Sequence, residues 1–474
     1  MCTHSEHRSV QGSAATGVLH RVPNSLSFYY QHLLVASERI DTTWASTDSW
    51  FEPSWQLPKL GPELDEFFSV SGISASELGE YRGRRLHFLD LTENPGTHTT
   101  KTFGSSVIVA RAVRHTELTG EPVLLVTPSA ANKAVALRNA VLRAYQVGLS
   151  DPSKLRVVTV VPASSLPKLW ASDIDADPAL RAANPMGVYS GPEREHVKEI
   201  TTAAVGDLAA DDPVLRGFRV WYTLNPKNYM VADFIRTLFE YEYFPPVGER
   251  WHTHAVSSAY GFLGHDLGRQ MAAEDGVRFD VPQRYLLVQH LETPDLVSAV
   301  TGIDVETVVR DLYRATGDGL LTRPAGADPR LPEYCYSTGE RLERTFYTRN
   351  PPTTKAVRQL VADHGGNGIV VSLPECVNRY AFVRDLLRGA DFHRLPEDPR
   401  RLREWAMVMS AVGCLNAIDR DLIPAGADVV IHGSGAYSEG EFHQIDRSRL
   451  IEVNTPDEVR ALISGAIQAD GERG

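Results

Sequence analysis

Residues 94–104, N-P-G-T-H-T-T-K-T-F-G, set a single lysine, Lys101, among Thr97, Thr99, Thr100 and Thr102. Only eight of the 48 basic residues are lysines, so this cation is not the chain's habitual surface charge. A lysine amine forms a Schiff base with a carbonyl cofactor when desolvation or cationic neighbours lower its pKa, and the threonine hydroxyls offer donors and acceptors around it. The plain alternative is a loop lysine in water.

Three further segments have compositions suited to a ligand. In 127–141, T-P-S-A-A-N-K-A-V-A-L-R-N-A-V, small residues admit close approach of the backbone. There Asn132 could bond a ring substituent and Lys133 an anion, unless the segment is simply a turn capped by Ser129 or Asn132. In 256–271, Ser257, Ser258, Gly261 and Gly264 between a strand and a helix make a cradle of backbone N–H groups, which suits a phosphate. Its spacing is neither G-x-G-x-x-G nor a Walker loop. Ser434 follows D-V-V-I-H-G between two glycines, where its hydroxyl could face a heterocycle nitrogen or only complete a turn. The motif is not the G-x-S-x-G of a nucleophile elbow.

His252 and His254 have strand spacing and so project from one face, but no third ligand stands at a convincing position and no H-E-x-x-H occurs. No metal site is expected. His98 is of interest for standing three residues before Lys101.

The elements that must position these groups read as strands followed by turns and helical periods. Strands are expected near 86–91, 122–128, 155–162, 218–224, 253–258, 284–291, 368–374 and 428–433. Several are continuous β-branched runs, the mark of strands buried on both faces, so the class is α/β with largely parallel sheets. Segments 173–217 and 325–350, richer in Pro, Gly and acidic residues, read as surface excursions. The 474 residues exceed what one core needs, so subdomains are expected.

A net charge of −12 with scattered basic residues argues against nucleic acid as a partner. Cys2, Cys335, Cys376 and Cys414 lie far apart, which fits a reducing cytoplasm better than a disulfide framework. The polar first 17 residues lack an apolar leader, and no run approaches a membrane span.

Taken in order, the four loops resemble those of the fold-type II pyridoxal-phosphate enzymes, the tryptophan synthase β-subunit superfamily, and threonine synthase within it. Gly96-Thr97 through Lys101 stands where that family has its lysine loop. The run 130–134, A-A-N-K-A, resembles its turn over the cofactor ring, and 224–243, L-N-P-K-N-Y-M-V-A-D-F-I-R-T-L-F-E-Y-E-Y, resembles its tyrosine-bearing helix. The run 257–266 echoes its phosphate loop, 284–297 is similar to the strand that follows, and Ser434 falls where the superfamily contacts the pyridine nitrogen.

The resemblance implies two open, largely parallel-sheet subdomains with pyridoxal 5'-phosphate between them, plus a small N-terminal segment. The expected ranges are 1–24 as a disordered tail, 25–90 as the N-terminal segment, 118–230 as the smaller subdomain, and 91–117 with 231–474 as the larger. It implies Lys101 as internal aldimine and general base. Asn132, Ser257, Ser258, Ala259, Tyr260, Gly261, Gly264 and Ser434 would hold the cofactor, and Thr97, His98, Thr99 and Lys133 the amino-acid substrate. The reaction would be β- or γ-elimination or replacement, in the cytoplasm, with a homodimer left open.

The chain departs from the family pattern at Thr102, where an acidic residue is usual, at Ala130-Ala131 for Ser-Gly, and at the bulky Tyr260 and Phe262. A substrate pocket unlike that of threonine synthase is therefore expected. A non-pyridoxal enzyme of a phosphorylated metabolite and a decayed binding protein remain the alternatives.

Overall fold

The computed structural model describes residues 17–43, 50–208, 215–346 and 348–469. Two sheets dominate it. The larger has seven strands in the order β1-β2-β3-β15-β8-β9-β13, formed by Gly17–Val22 (β1), Ile73–Tyr81 (β2), Arg84–Asp90 (β3), Arg250–Ala255 (β8), Gln283–His290 (β9), Gly366–Val371 (β13) and Asp428–Gly433 (β15). From β3 to β13 neighbours are parallel, whereas β1 and β2 are added antiparallel at one edge.

The smaller sheet has five parallel strands in the order β17-β6-β5-β4-β7: Val123–Pro128 (β4), Leu155–Pro162 (β5), Met186–Tyr189 (β6), Arg219–Tyr222 (β7) and Ile451–Glu452 (β17). Short antiparallel pieces complete the strands: Arg314–Ala315, Leu321–Thr322 and Tyr334–Cys335 (β10–β12), and Leu402–Glu404 with Tyr437–Ser438 (β14, β16). The runs V-L-L-V-T-P and L-R-V-V-T-V-V-P are buried along their whole length, as strands covered on both faces must be.

Helix Lys101–Thr119 is buried without interruption from Thr102 to Val113. Its Phe103, Val107 and Ile108 share one apolar core with Leu125 of the small sheet, Leu287 of the large sheet, and Tyr229 and Phe262. Gly104 lets helix Lys227–Asp233 come close, because a Cβ there would collide with the Tyr229 ring. The lysine at the head of this helix is thereby held rigidly where the two sheets meet.

The expected ranges are shared differently between the sheets. Of the tail 1–24, residues 1–16 lie outside the described residues, and Gly17–Val22 pair with β2 instead of being disordered. Strands β2 and β3, within the expected N-terminal segment, belong to the large sheet, while β17 near the C-terminus closes the small one. The excursion 173–217 contributes β6, the neighbour of β5. Among the described residues no helix is long and apolar enough to cross a membrane.

Candidate active site

The loops leaving the carboxyl ends of β3, β4, β7, β8 and β15 converge on a cavity of ≈ 570 Å³, the usual place for a ligand in open parallel sheets. Lys101 lines it together with Thr99, Thr100, Asn132, Lys133, Tyr229, the 254–262 segment, Glu404, His432 and Ser434.

The Lys101 loop is built by its own polar side chains. Asn94 donates to the carbonyls of Leu91 (3.2 Å) and Thr99 (3.1 Å), and its Oδ1 accepts from the Thr97 hydroxyl (2.6 Å) and the Thr99 N–H (3.2 Å). The Thr97 and Thr102 hydroxyls meet at 2.7 Å. Main-chain bonds then fasten this loop to the one after β15: Thr100 N–H donates to Ser434 O (3.0 Å) and Ala436 N–H to His98 O (3.2 Å). Lys101 and Ser434 are therefore held on adjoining loops whose spacing the backbone fixes.

Burial lowers the Lys101 pKa; Asp233 and Glu404 oppose the shift and the Arg236 cation adds to it. Its Nζ stands 4.7 Å from the centre of the Tyr229 ring. Lys133 reaches the same ring from 5.8 Å and donates to the Thr223 carbonyl; burial, then repulsion from Lys101, brings its pKa to about 7.

Ser434 Oγ is shielded from solvent and bonds no atom among the described residues. Across the cavity, helix Tyr260–Glu274 starts from Ala259 in the left-handed conformation (φ 55°) with no side chain capping its first N–H groups. Ser257 donates to Thr348 Oγ1 (3.3 Å), and Thr353 Oγ1 donates to Ser258 O (2.8 Å), which fixes the turn before the helix. An uncapped helix start facing a cavity favours an anion. An orphaned hydroxyl, an uncapped helix and a lysine of lowered pKa around one cavity fit pyridoxal 5'-phosphate.

Not every expected residue faces that space. Ser257, Ser258, Ala259, Tyr260, Gly261, Asn132, Thr99, Lys133 and Ser434 line it. Thr97 is buried within its loop, and His98 (φ 47°) turns away, its Nδ1 3.1 Å from Thr92 O and its ring edge-on to Trp170. Gly264 lies behind the cradle, where a Cβ would fall 2.6 Å from Asp233 Cβ and 2.8 Å from Met230 O, so helix packing accounts for this glycine.

Two arrangements had no sequence signal. Asn132 has both ends of its amide engaged, donating to Glu404 Oε2 (2.5 Å) and accepting from Tyr437 OH (2.8 Å). Glu404 in turn meets Lys168 Nζ (2.8 Å), which also meets Glu343 Oε1 (2.5 Å), all three buried. With two carboxylates on one ammonium, burial and Glu343 raise the Glu404 pKa, whereas Lys168 lowers that of Glu343. Below the cavity, His254 stacks on His432 (3.9 Å, 22°), and His252 and His265 lie beneath them. A third and a fourth histidine thus join the pair read from the strand.

Residues 21–467 match a family described as a family of unknown function (DUF6002). The chain belongs to that family. No curated protein matches it in sequence. Among solved structures it is similar to threonine synthase from yeast (10% identity, 86% of this chain and 84% of that chain, TM-score 0.51). It is also similar to an L-serine ammonia-lyase from Rhizomucor miehei (13%, 78% and 91%, TM-score 0.44). A pyridoxal-phosphate-bound threonine synthase from Brucella melitensis is a further neighbour (10%, 81% and 79%, TM-score 0.45). The yeast enzyme's likeness shows that this family member has the fold-type II architecture expected from its loop order.

Proposed function

We propose that the chain is a pyridoxal 5'-phosphate enzyme that performs β- or γ-elimination or replacement on an amino-acid side chain, with Lys101 as covalent anchor and general base. The observation that carries this is the placement of Lys101, of lowered pKa, in one cavity with the orphaned Ser434 hydroxyl and the uncapped start of helix Tyr260–Glu274. Residues 257–261 would hold the phosphate, Ser434 the ring nitrogen, and Asn132 a ring oxygen by exchanging one of its present partners.

Bound there, the cofactor supplies an electron sink for the substrate's Cα, and a neutral serine rather than a carboxylate at its nitrogen suits elimination and replacement better than transamination. A desolvated Lys101 reaches its neutral form more readily, and that form is the one that adds to a carbonyl and takes a proton at Cα. Tyr229 excludes water from one side of the amine, and its apolar ring tolerates the neutral and charged states alike. Lys133, close to half charged at neutral pH, gains full charge when a substrate carboxylate arrives, which makes it the cationic partner for that group.

The test is borohydride reduction of the purified chain with pyridoxal 5'-phosphate, followed by peptide mass mapping. A reduced adduct on Lys101 that Lys101→Ala abolishes is the expected result. A chain that cannot be loaded, or full turnover by Lys101→Ala, overturns the reading.

A further inference from the structure

The four buried histidines are more than the candidate active site uses. His252 lies on β8 and His432 on the adjoining β15, and His265 comes from helix Tyr260–Glu274, its ring 4.3 Å from that of His252 and 5.4 Å from that of His432. We propose that His252, His265 and His432 form a binding site for one divalent transition-metal ion, with Zn²⁺ the ion their imidazole donors suit best.

Geometry comes first. One ring nitrogen from each of the three lies within 4.8 Å of the others, and His252 Nδ1 and His432 Nε2 are 3.1 Å apart. Zinc–nitrogen bonds of roughly 2.0–2.1 Å at tetrahedral angles place two imidazole nitrogens about 3.3 Å apart, so this pair already has ligand spacing. A modest rotation of His265 completes the set. His254 is excluded from it, because its ring lies nearly parallel to His432 at 3.9 Å and cannot aim at the same point.

The outer partners agree. His252 Nε2 donates to Gln283 Oε1 (2.7 Å), which leaves the Nδ1 lone pair facing His432. His265 Nε2 bonds Glu240 Oε2 (3.1 Å), and its Nδ1, 3.4 Å from Tyr285 OH, would exchange that long contact for the ion. A ligand imidazole whose other N–H is held by a carboxylate or an amide oxygen is the usual outer shell of a metal site. Among the described residues His432 Nδ1 has no partner although the residue is 1% exposed, so the ring can present either nitrogen.

Charge supplies an independent reason. Glu240 and Asp428 are both buried, and the guanidinium of Arg250 bridges them. His87 and Arg85 reach Asp428 only from its other oxygen, at 2.7 and 3.9 Å. On its inner side Glu240 faces His252 and His265, at 3.7 and 3.1 Å. A cation among the three imidazoles would stand beside the buried Glu240 carboxylate, which favours it electrostatically. Such an ion would pin β8, β15 and the helix carrying the 257–261 cradle to one another.

The experiment is elemental analysis of the full-length chain produced in zinc-supplemented medium and dialysed against EDTA, with Co²⁺-substituted chain examined by visible absorption. This does not depend on the pyridoxal reading, since neither readout requires cofactor or turnover. About one zinc per chain, and Co²⁺ ligand-field bands of a nitrogen-rich tetrahedral site, are expected. His265→Ala should lose both while His254→Ala keeps them. Wild-type chain free of metal and silent towards Co²⁺ overturns the proposal even if a variant fails to fold, and so does equal metal loss in His254→Ala.

Discussion

Lys101 and Lys133 direct their ammonium groups at one ring, that of Tyr229, from 4.7 and 5.8 Å. Two cations so close in a dry cavity repel, and Lys133 yields because burial weighs heavily on it as well. Replacing Lys101 by methionine should therefore move the Lys133 pKa upward from about 7. With eight lysines in the chain, ε-¹³C-labelled lysine resolves the titration by NMR. An unchanged Lys133 titration would separate the two groups.

The same lysine makes stability depend on pH. Below about pH 7 Lys133 is protonated both folded and unfolded, and the full cost of burying its charge is present. Between that value and the ordinary lysine pKa near 10.5 the unfolded chain binds more protons than the folded one, so stability rises with pH. Lys133→Met should flatten this rise in urea midpoints measured without ligand from pH 7 to 10. A slope equal to that of the wild type would refute the assignment.

Ser434→Ala should affect the free and the loaded chain oppositely. The hydroxyl is shielded from solvent and unpaired, so its removal leaves the free chain as stable or more stable, by up to about 1 kcal/mol. Losing its bond to the cofactor should weaken pyridoxal-phosphate affinity about two- to tenfold, as a fluorescence titration would read. Equal affinity in both proteins would remove Ser434 from the site.

Much of this site was legible because its loops follow buried strands whose apolar runs are unmistakable, as at β4, β5 and β15. The threonine-rich loop also announced a polar construction, although the sequence did not say that Thr97 and His98 build the loop while Thr99 faces the cavity. Strand β6 escaped because its four residues include a glycine and follow a proline, and β17 because two residues carry no period. The link from His252 to His432 and that from Lys168 to Glu404 were invisible for another reason. Their members stand 180 and 236 residues apart, and only strand order brings them together.

Among the described residues Lys168 is the cation that bridges Glu343 and Glu404, at 2.5 and 2.8 Å. Lys168→Met leaves two buried carboxyl groups facing each other and should cost about 3–5 kcal/mol at neutral pH. Glu343, whose pKa Lys168 lowers, contributes stability that is present above the ordinary carboxylate pKa and fades as pH falls through the folded one. The loss should therefore shrink on acidification, and Glu404→Gln in the same chain should recover part of it. Chemical denaturation at two pH values measures both effects, and a Lys168→Met chain as stable as the wild type would show that the triad is dispensable.

Gly261 and Gly264 stand one turn apart, and the structure gives them different duties. A Cβ on Gly264 would meet Asp233 Cβ at 2.6 Å and the Met230 carbonyl at 2.8 Å, where one atom belongs to a helix backbone and cannot swing aside. Gly264→Ala should force the two helices apart and cost about 1–3 kcal/mol. A Cβ on Gly261 would first meet Arg236 Nη2 at 2.6 Å, the far end of a flexible side chain, and the residue also lines the cavity beside the helix start. Gly261→Ala should therefore change thermal stability less than Gly264→Ala while weakening binding of inorganic phosphate and of pyridoxal 5'-phosphate more. The reverse ranking would move the phosphate cradle away from the first turn of that helix.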